Sequence, residues 1–329
     1  MSEATHGWET WIRFAQQAGQ GTVGSTWFTY DSDGADSLTQ GEAPINRTGI
    51  TGLRKPVAGA YRRGHYMPGG ALGAYPFNMG TESTPLLLLL RNHCGSYAVA
   101  SGGGTVESTF TFTPLTAQVA TADWPYLSWQ KDTGIAGAGE LYLDSWTDEL
   151  AINWAVDSQY TTLTPTIKAL SGGTTQTITG DGTGLTAGFF DAATISVTWN
   201  GTAIYPTAID WTSQNNSPDG IASSVRGRKR LSIGDFTGNV TLSMPRDSNF
   251  NTWFVDQYGN ATQGTLTISG TLSTDYGTTL SSDALSFGLT SYLMVNPVAQ
   301  PTGQGELIDT VAFTMNDWTL SVVSDLTAI

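Results

Sequence analysis

The sequence predicts a mainly β protein made of many short strands joined by tight turns. Only 13% of its 329 residues are charged and 39 are glycine, whereas surface helices usually carry Glu and Lys on their solvent faces. Several segments also alternate apolar residues with polar, often β-branched ones, which is typical of half-buried strands. The clearest of these segments are 108–120, 149–158, 194–205, 238–245 and 264–272.

Two local signals stand out within this strand pattern. The segment WNGT at 199–202 contains an Asn-Gly pair, which predicts a two-residue hairpin turn. The segment TPLLLLLRNHCG at 84–95 predicts a short helix, because Thr84 suits the N-cap, Pro85 the first helical position and Gly95 the residue past the end. This helix is apolar nearly all round, so it should be buried against a sheet or a neighbouring subunit. It is much shorter than the ~20 apolar residues that cross a bilayer, so no membrane insertion is expected.

Four landmarks recur in the same order in the two halves of the chain. Each half has a basic cluster, a capped apolar segment, Thr-rich strands with a G-x-G-E-L motif, and a strand that carries tryptophan. The second capped segment is SNFNTWFVDQYG at 248–259, and the motifs are GAGEL at 137–141 and GQGEL at 303–307. This order predicts a duplication into two tandem, mainly β domains, each with one capped helical segment. The predicted units are a first domain at 1–170, a Gly/Thr-rich connector at 171–190 and a second domain at 191–329. Exchange of strands between the halves stays open.

The chain is strongly acidic, and this limits the partners that it is expected to bind. Its 28 acidic and 14 basic residues give a formal net charge of −14. Such a protein repels phosphate backbones, so tight nucleic-acid binding is not expected, although the chain could surround DNA without holding it. Cys94 is the single cysteine, which leaves no intramolecular disulfide. The first residues lack the basic and apolar regions of a secretory signal.

Candidate catalytic and ligand-binding patterns are all incomplete. GQGTVG at 19–24 matches a dinucleotide-binding loop, but a strand-like segment follows where that site needs a helix. The acidic segment 31–42 has Asp where a calcium loop needs Gly, and the adjacent His93 and Cys94 would point about 100° apart on a helix. We therefore expect no enzyme activity, no cofactor and no metal site. A glycosidase that uses acids repeated in the two halves is kept as a further alternative. Those acids are Glu140 and Glu306.

Two short basic clusters are the positive features of this acidic chain. They lie in Gly-bearing contexts typical of exposed loops, and such loops could pair with acidic patches on another copy of the chain. Simple solvated loops explain them equally well. The candidate inter-subunit contacts are Arg54, Lys55, Arg62, Arg63, Arg226, Arg228, Lys229 and Arg230.

Taken together, these segments resemble the tail tube (major tail) proteins of long-tailed, non-contractile bacteriophages. The resemblance rests on WIRFAQQAGQGTVGSTWFTY at 11–30 and on the first-half order of basic loop, capped helix and Thr-rich strands. It rests also on GELYLDSWTDELAINWAVDSQYTTLTPTIKALSG at 139–172 and DWTLSVVSDLTAI at 317–329. The resemblance extends over most of the chain. It consists of the order and type of these segments and includes no invariant catalytic residues.

The resemblance implies both a fold and a role. Tube domains of this family are small β-sandwiches or barrels with a short flanking helix, and rings of six such domains stack into a hollow tube for DNA ejection. Two domains in one chain imply trimeric, pseudo-hexameric rings, assembled in the host cytoplasm and carried in the virion tail. The implied partners are further copies of the chain, a tape measure protein and tail-tip or terminator proteins. DNA would pass through the lumen without specific binding.

The main alternative is a β-sandwich carbohydrate- or receptor-binding phage tail protein. Its supporting feature is a set of tryptophans that could stack on sugars, although core packing explains them equally well. They are Trp124, Trp129, Trp146, Trp154 and Trp211.

Overall fold

The computed structural model describes most of the chain, and the described part contains one helix and three sheets. The described residues are 11–30, 36–39, 41–46, 61–79, 84–101, 108–115, 123–132, 138–158, 160–176, 188–190, 195–220, 227–245, 264–272, 285–295, 308–324, 326 and 329. The helix, α1, is Thr84–Cys94.

The strands before residue 115 are short. They are β1 Ile12–Gln16, β2 Phe28–Tyr30, β3 Glu42–Asn46, β4 Tyr61–Tyr66, β5 Gly69–Ala71, β6 Tyr75–Pro76, β7 Asn78–Met79, β8 Ala98–Ser101 and β9 Ser108–Phe112. The later strands range from two to 17 residues. They are β10 Leu127–Lys131, β11 Gly139–Ala155, β12 Thr162–Gln176, β13 Gly188–Phe189, β14 Ile195–Trp199, β15 Thr202–Ile204, β16 Ala208–Gln214, β17 Thr237–Pro245, β18 Gly264–Leu272, β19 Leu285–Val295 and β20 Ile308–Ser324.

One large antiparallel sheet dominates the described part of the chain and confirms the mainly β prediction. Its main path runs β15-β14-β18-β19-β20-β17-β16-β11-β10-β1-β2. Two branches leave this path: β9 pairs with β20 and carries β8, while β12 pairs with β11 and carries β5 and β6. The pairs β3-β4 and β7-β13 form two small sheets.

Strands from the two predicted domains pair with each other in the large sheet. Strand β11 pairs with β16, from Glu149 opposite Gln214 to Ala155 opposite Ala208, and β9 pairs with β20. Residues 171–176, the start of the predicted connector, continue strand β12. The division into domains at 1–170 and 191–329 stays a prediction. The second capped segment at 248–259 and the GQGEL motif at 303–307 lie outside the described residues.

The predicted Asn-Gly hairpin is confirmed between β14 and β15. Asn200 and Gly201 have φ values of 47° and 80°, the double positive φ that a type I′ turn requires. The Asn200 side chain also accepts a hydrogen bond from the Thr265 amide at 2.8 Å, and the Asn200 amide donates to the Thr265 carbonyl at 2.8 Å. The turn is therefore fastened to β18, the next strand of the sheet.

The predicted helix at 84–95 is also confirmed, and it is buried. Each of its five leucines is at most 3% exposed, so each contributes roughly 2 kcal/mol through removal of apolar surface from water. Gly95 ends the helix with φ 73°, and its amide donates to the Arg91 carbonyl at 2.7 Å. In the described part of the chain, no helix is long and apolar enough to cross a membrane.

The larger of two described core clusters is rich in aromatic residues and reaches from β1 to β20. The helix leucines pack into this cluster. Trp199 lies 5.1 Å from Phe313 between ring centroids, and Trp211 meets Trp318 edge to face at 5.2 Å. A smaller cluster around Trp146 lies beside it. The larger cluster also contains Phe14 and Trp129 from the first half, so the two halves share this core.

A glycine pair provides a test of this packing. A side chain at Gly264 would overlap the indole of Trp199, whereas the space around Gly288 in the adjacent strand is open. We expect Gly264→Ala to lower the free energy of unfolding by about 2 kcal/mol through overpacking. Gly288→Ala, the matched control, should be neutral or stabilise slightly. Urea denaturation of both variants measures the difference, and equal effects would contradict the packing described for Trp199.

Candidate assembly interface

The last turn of α1 is fixed to the sheet by a buried asparagine. The Asn92 amide group donates to the carbonyl oxygens of Pro125 and Ser145, at 2.8 and 3.0 Å. Its Oδ1 accepts from the backbone amide and the hydroxyl of Thr147, at 2.7 and 2.9 Å. The side chain thus uses its full hydrogen-bonding capacity within the protein. It fixes the helix to β11 and to the segment just before β10.

His93, the next residue, joins the helix to two further strands. Its Nδ1 lies 3.1 Å from the Thr147 carbonyl oxygen and its Nε2 lies 2.8 Å from Ser213 Oγ, which also accepts from Trp318 Nε1 at 3.1 Å. A neutral ring with its proton on Nδ1 satisfies all these contacts. Burial lowers the pKa of His93 from 6.5 to about 4, although the Thr147 carbonyl and the Asp148 carboxylate act in the opposite direction.

This cluster has the properties of a structural connection between elements. Cys94 is buried, and burial raises the pKa of its thiol well above the ordinary value, so the thiol stays protonated in the core. His93 is likewise buried and both of its ring nitrogens are occupied by protein groups. Among the described residues, no group of three or more His, Cys, Asp or Glu side chains could hold a metal ion.

A bulge in β11 carries the connection to the neighbouring loop. The β11-β12 register shifts between Thr147 and Glu149, which turns Asp148 out of the ladder. Its carboxylate accepts from the Ser217 amide at 2.8 Å and pairs with Lys168 Nζ at 2.8 Å. The segment after β16 is therefore held against β11 and β12.

The side chains of the first basic cluster are not among those that the structure describes. Arg62 and Arg63 lie in β4, opposite Ile45 and Pro44 in the backbone register. Arg54, Lys55 and Arg226 lie outside the described residues.

The second basic cluster requires a correction. Arg228 is only 8% exposed, so it is not an exposed contact residue as expected. Its guanidinium pairs with Asp219 at 3.0 Å and donates to the Pro68 carbonyl oxygen at 2.6 Å. The reason is that Arg228 reaches back to the carbonyl oxygens of Pro68, just before β5, and of Ala169 in β12. Lys229 and Arg230, which follow it, are exposed and remain candidate contacts between subunits.

Two other sequence patterns serve the fold in their described parts. In the glycine-rich turn at 19–24, the Gly21 amide donates to the Asp144 carboxylate at 2.6 Å, and strand β2 follows the turn. Glu140 accepts a hydrogen bond from the Tyr142 hydroxyl at 2.6 Å. Its repeat partner Glu306 and part of the acidic segment 31–42 lie outside the described residues.

The tryptophans that support sugar binding are all in the interior. Each of the five is at most 8% exposed. A ring must present a face to solvent to stack on a sugar. These tryptophans, Trp124, Trp129, Trp146, Trp154 and Trp211, are therefore core residues in the folded chain.

The most open part of the described sheet is strand β8. All four of its residues are exposed, and among the described strands it pairs with β9 alone. The strand AVAS carries no charge and no proline, and Val99 is 47% exposed. Strands β2 and β15 end the main path in the same way, each with one described partner. Sequence reasoning missed β8, although an uncharged apolar stretch between Gly95 and a run of glycines could have indicated it.

A second exposed apolar pair lies at one end of β11 and β16. Val156 follows β11 and is 57% exposed, and Tyr205 precedes β16 and is 80% exposed. The Val156 amide donates to the Thr207 carbonyl oxygen at 2.9 Å, which keeps these two connections side by side.

No protein-family model and no curated protein sequence matches the chain. The interpretation of these surfaces therefore depends on their own chemistry.

The buried histidine makes stability depend on pH. The unfolded chain binds a proton near pH 6.5 and the folded chain only near pH 4, so His93 stabilises the fold fully above pH 6.5. That contribution should fall by about 3 kcal/mol as the pH drops from 6.5 to about 4. Urea denaturation of wild type and His93→Gln across this range measures it as the difference between the two curves. Parallel curves would show that His93 does not titrate as described.

Proposed function

We propose that the chain is a structural tail tube protein that self-assembles into stacked rings around a hollow conduit for DNA. The observation that carries the proposal is the edge strand β8, which offers an exposed, uncharged backbone edge in the single chain. Soluble monomers usually protect such edges with Lys, Pro, bulges or a covering loop. Strand β8 has no Lys and no Pro, and it pairs with β9 alone among the described strands, which fits a strand that pairs with another copy.

The other open edges support a ring over a closed dimer. Strands β2 and β15 end the main path, far along the strand order from the β8 branch. When one edge pairs with a different edge on the next copy, the contact is heterologous and can close into a ring. From the resemblance to tail tube proteins we further propose that the rings are trimeric and pseudo-hexameric. The chain would assemble in the host cytoplasm and lie in the virion tail. The resemblance also adds tape measure, tail-tip or terminator proteins as partners.

The acidic balance suits a conduit. A net charge of −14 gives walls that repel phosphates, so DNA would slide through the lumen without specific binding. The alternative hypothesis is that the chain is a carbohydrate- or receptor-binding tail protein. Its supporting tryptophans are core residues, so no described feature favours it over assembly.

A charge placed on the open edge tests the role of β8. We expect Val99→Lys to prevent rings and tubes, because a lysine on an edge strand opposes pairing with a second strand. Val23→Lys is the matched control, since Val23 is 51% exposed but lies outside the described strands, between β1 and β2. Negative-stain electron microscopy and sedimentation of wild type and both variants give the measurement, with circular dichroism confirming that each variant folds.

The outcomes separate the parts of the proposal. Wild type and Val23→Lys should form rings with an open bore, whereas Val99→Lys should stay monomeric. Rings formed equally well by Val99→Lys would exclude β8 as the contact. A wild-type chain that remains monomeric and binds glycans would exclude the tube.

A further inference from the structure

Two surfaces at opposite ends of the strand pair β11-β16 have complementary chemistry. The first, here called the turn end, consists of Val156, Asp157 and Tyr205. The second, here called the loop end, consists of Lys229 and Arg230. All five side chains are exposed.

The turn end projects an aromatic ring, an aliphatic side chain and a carboxylate from adjacent connections. Tyr205 and Val156 are two of the four exposed large apolar side chains in the described part of the chain. Asp157 follows Val156 directly. Tyrosine is enriched among the residues that dominate protein interfaces, because it buries a large area at low entropic cost. The turn end is thus a small apolar surface with an acidic margin.

The loop end presents two cations from a backbone that is held in place. The Lys229 amide donates to the Gly220 carbonyl oxygen at 3.2 Å, and Gly220 has φ 53°, close against the Arg230 carbonyl. The buried Arg228 fixes the same segment to Pro68 and neutralises Asp219. Among the side chains that the structure describes, Lys229 and Arg230 are the only exposed Lys or Arg.

The strand register places these surfaces apart. Strand β16 runs from Ala208, beside the turn end, to Gln214, from which the segment leading to the loop end departs. Arg228 reaches the Ala169 carbonyl oxygen, and Ala169 pairs with Ser145 in β11. At ~3.3 Å per residue, Ser145 lies roughly 35 Å from Val156 along β11. One copy therefore cannot join its own two surfaces.

We infer that the loop end of one copy docks on the turn end of a second copy, with Lys229 and Arg230 facing Asp157 and Tyr205. Two chains of net charge −14 repel each other, so a contact needs locally opposite charge, and the loop end supplies it. Arg230 can also stack on the Tyr205 ring as a cation–π pair. The contact joins different surfaces of two copies, so it repeats head to tail and extends into a filament when the rotation between copies does not close a ring.

This contact rests on the proposed function and adds the residues that join one ring to the next. It differs from the β8 contact in direction, because it lies at the ends of the strands and not at the edge of the sheet. Disrupting it should leave single rings intact. Disrupting β8 should remove the rings themselves.

Charge reversal followed by charge exchange tests the contact in the full chain. We expect Lys229→Glu combined with Arg230→Glu to reduce the mean number of stacked rings about tenfold or more, as a loss of contact affinity requires. Adding Asp157→Lys to that variant should restore stacking. Adding Asp123→Lys, at an exposed acid outside both surfaces, is the matched control and should not restore it.

Electron microscopy counts stacked rings for each variant, and circular dichroism confirms folding. Single rings from the reversed variant, with stacks returning only on exchange at Asp157, support the contact. Tubes of unchanged length from the reversed variant overturn the contact and leave the proposed tube function in place. Restoration by Asp123→Lys as well would show a general charge effect and overturn the specific contact. A wild-type chain that never self-associates overturns both proposals.

Discussion

The arrangement of the described fold depends on the hydrogen bonds that Asn92 and His93 make from the last turn of α1. These two residues contact β11 through Thr147, and His93 reaches β16 through Ser213. Trp318 of β20 joins the same hydroxyl. A buried polar group without a partner costs roughly 1–3 kcal/mol, so any shift of the helix along the sheet would leave several such groups unsatisfied. The leucines supply the burial, and the polar pair selects one position.

Two of the register shifts along β11, one opposite β10 between Tyr142 and Ser145 and one opposite β12 at Asp148, place carboxylates where they hold neighbouring loops. Asp144, with φ 53°, accepts from the glycine-rich turn at one bulge, and Asp148 accepts from Ser217 at the other. Each bulge turns a carboxylate out of the ladder, where it can hold a backbone amide of a neighbouring segment. Because Asp148 also pairs with Lys168, the segment after β16 keeps a fixed course. The exposed cations beyond it are therefore presented by an ordered backbone.

Local signals in the sequence were sufficient for the helix and the Asn-Gly hairpin. Both depend on residues within one turn, such as Pro85, Gly95 and Gly201, whose backbone preferences act without distant partners. The pairing of strands across the two halves and the burial of Arg228 could not be found in this way. Arg228 is covered because Pro68 and Ala169, distant in sequence, offer carbonyl oxygens. An alternation pattern contains no information on which strand becomes its neighbour.

In the proposed assembly, the strong negative charge limits unspecific pairing at the open edge. Uncharged β8 would template aggregation in a neutral protein, but copies with a net charge of −14 repel each other before their edges meet. At physiological salt this repulsion extends only about 8 Å, so it opposes random approach without preventing a well-aligned contact. Association is then favoured where exposed cations such as Lys229 and Arg230 meet an acid. In the proposed tube, charge thus selects the orientation of the copies, and the backbone edge of β8 supplies the strength.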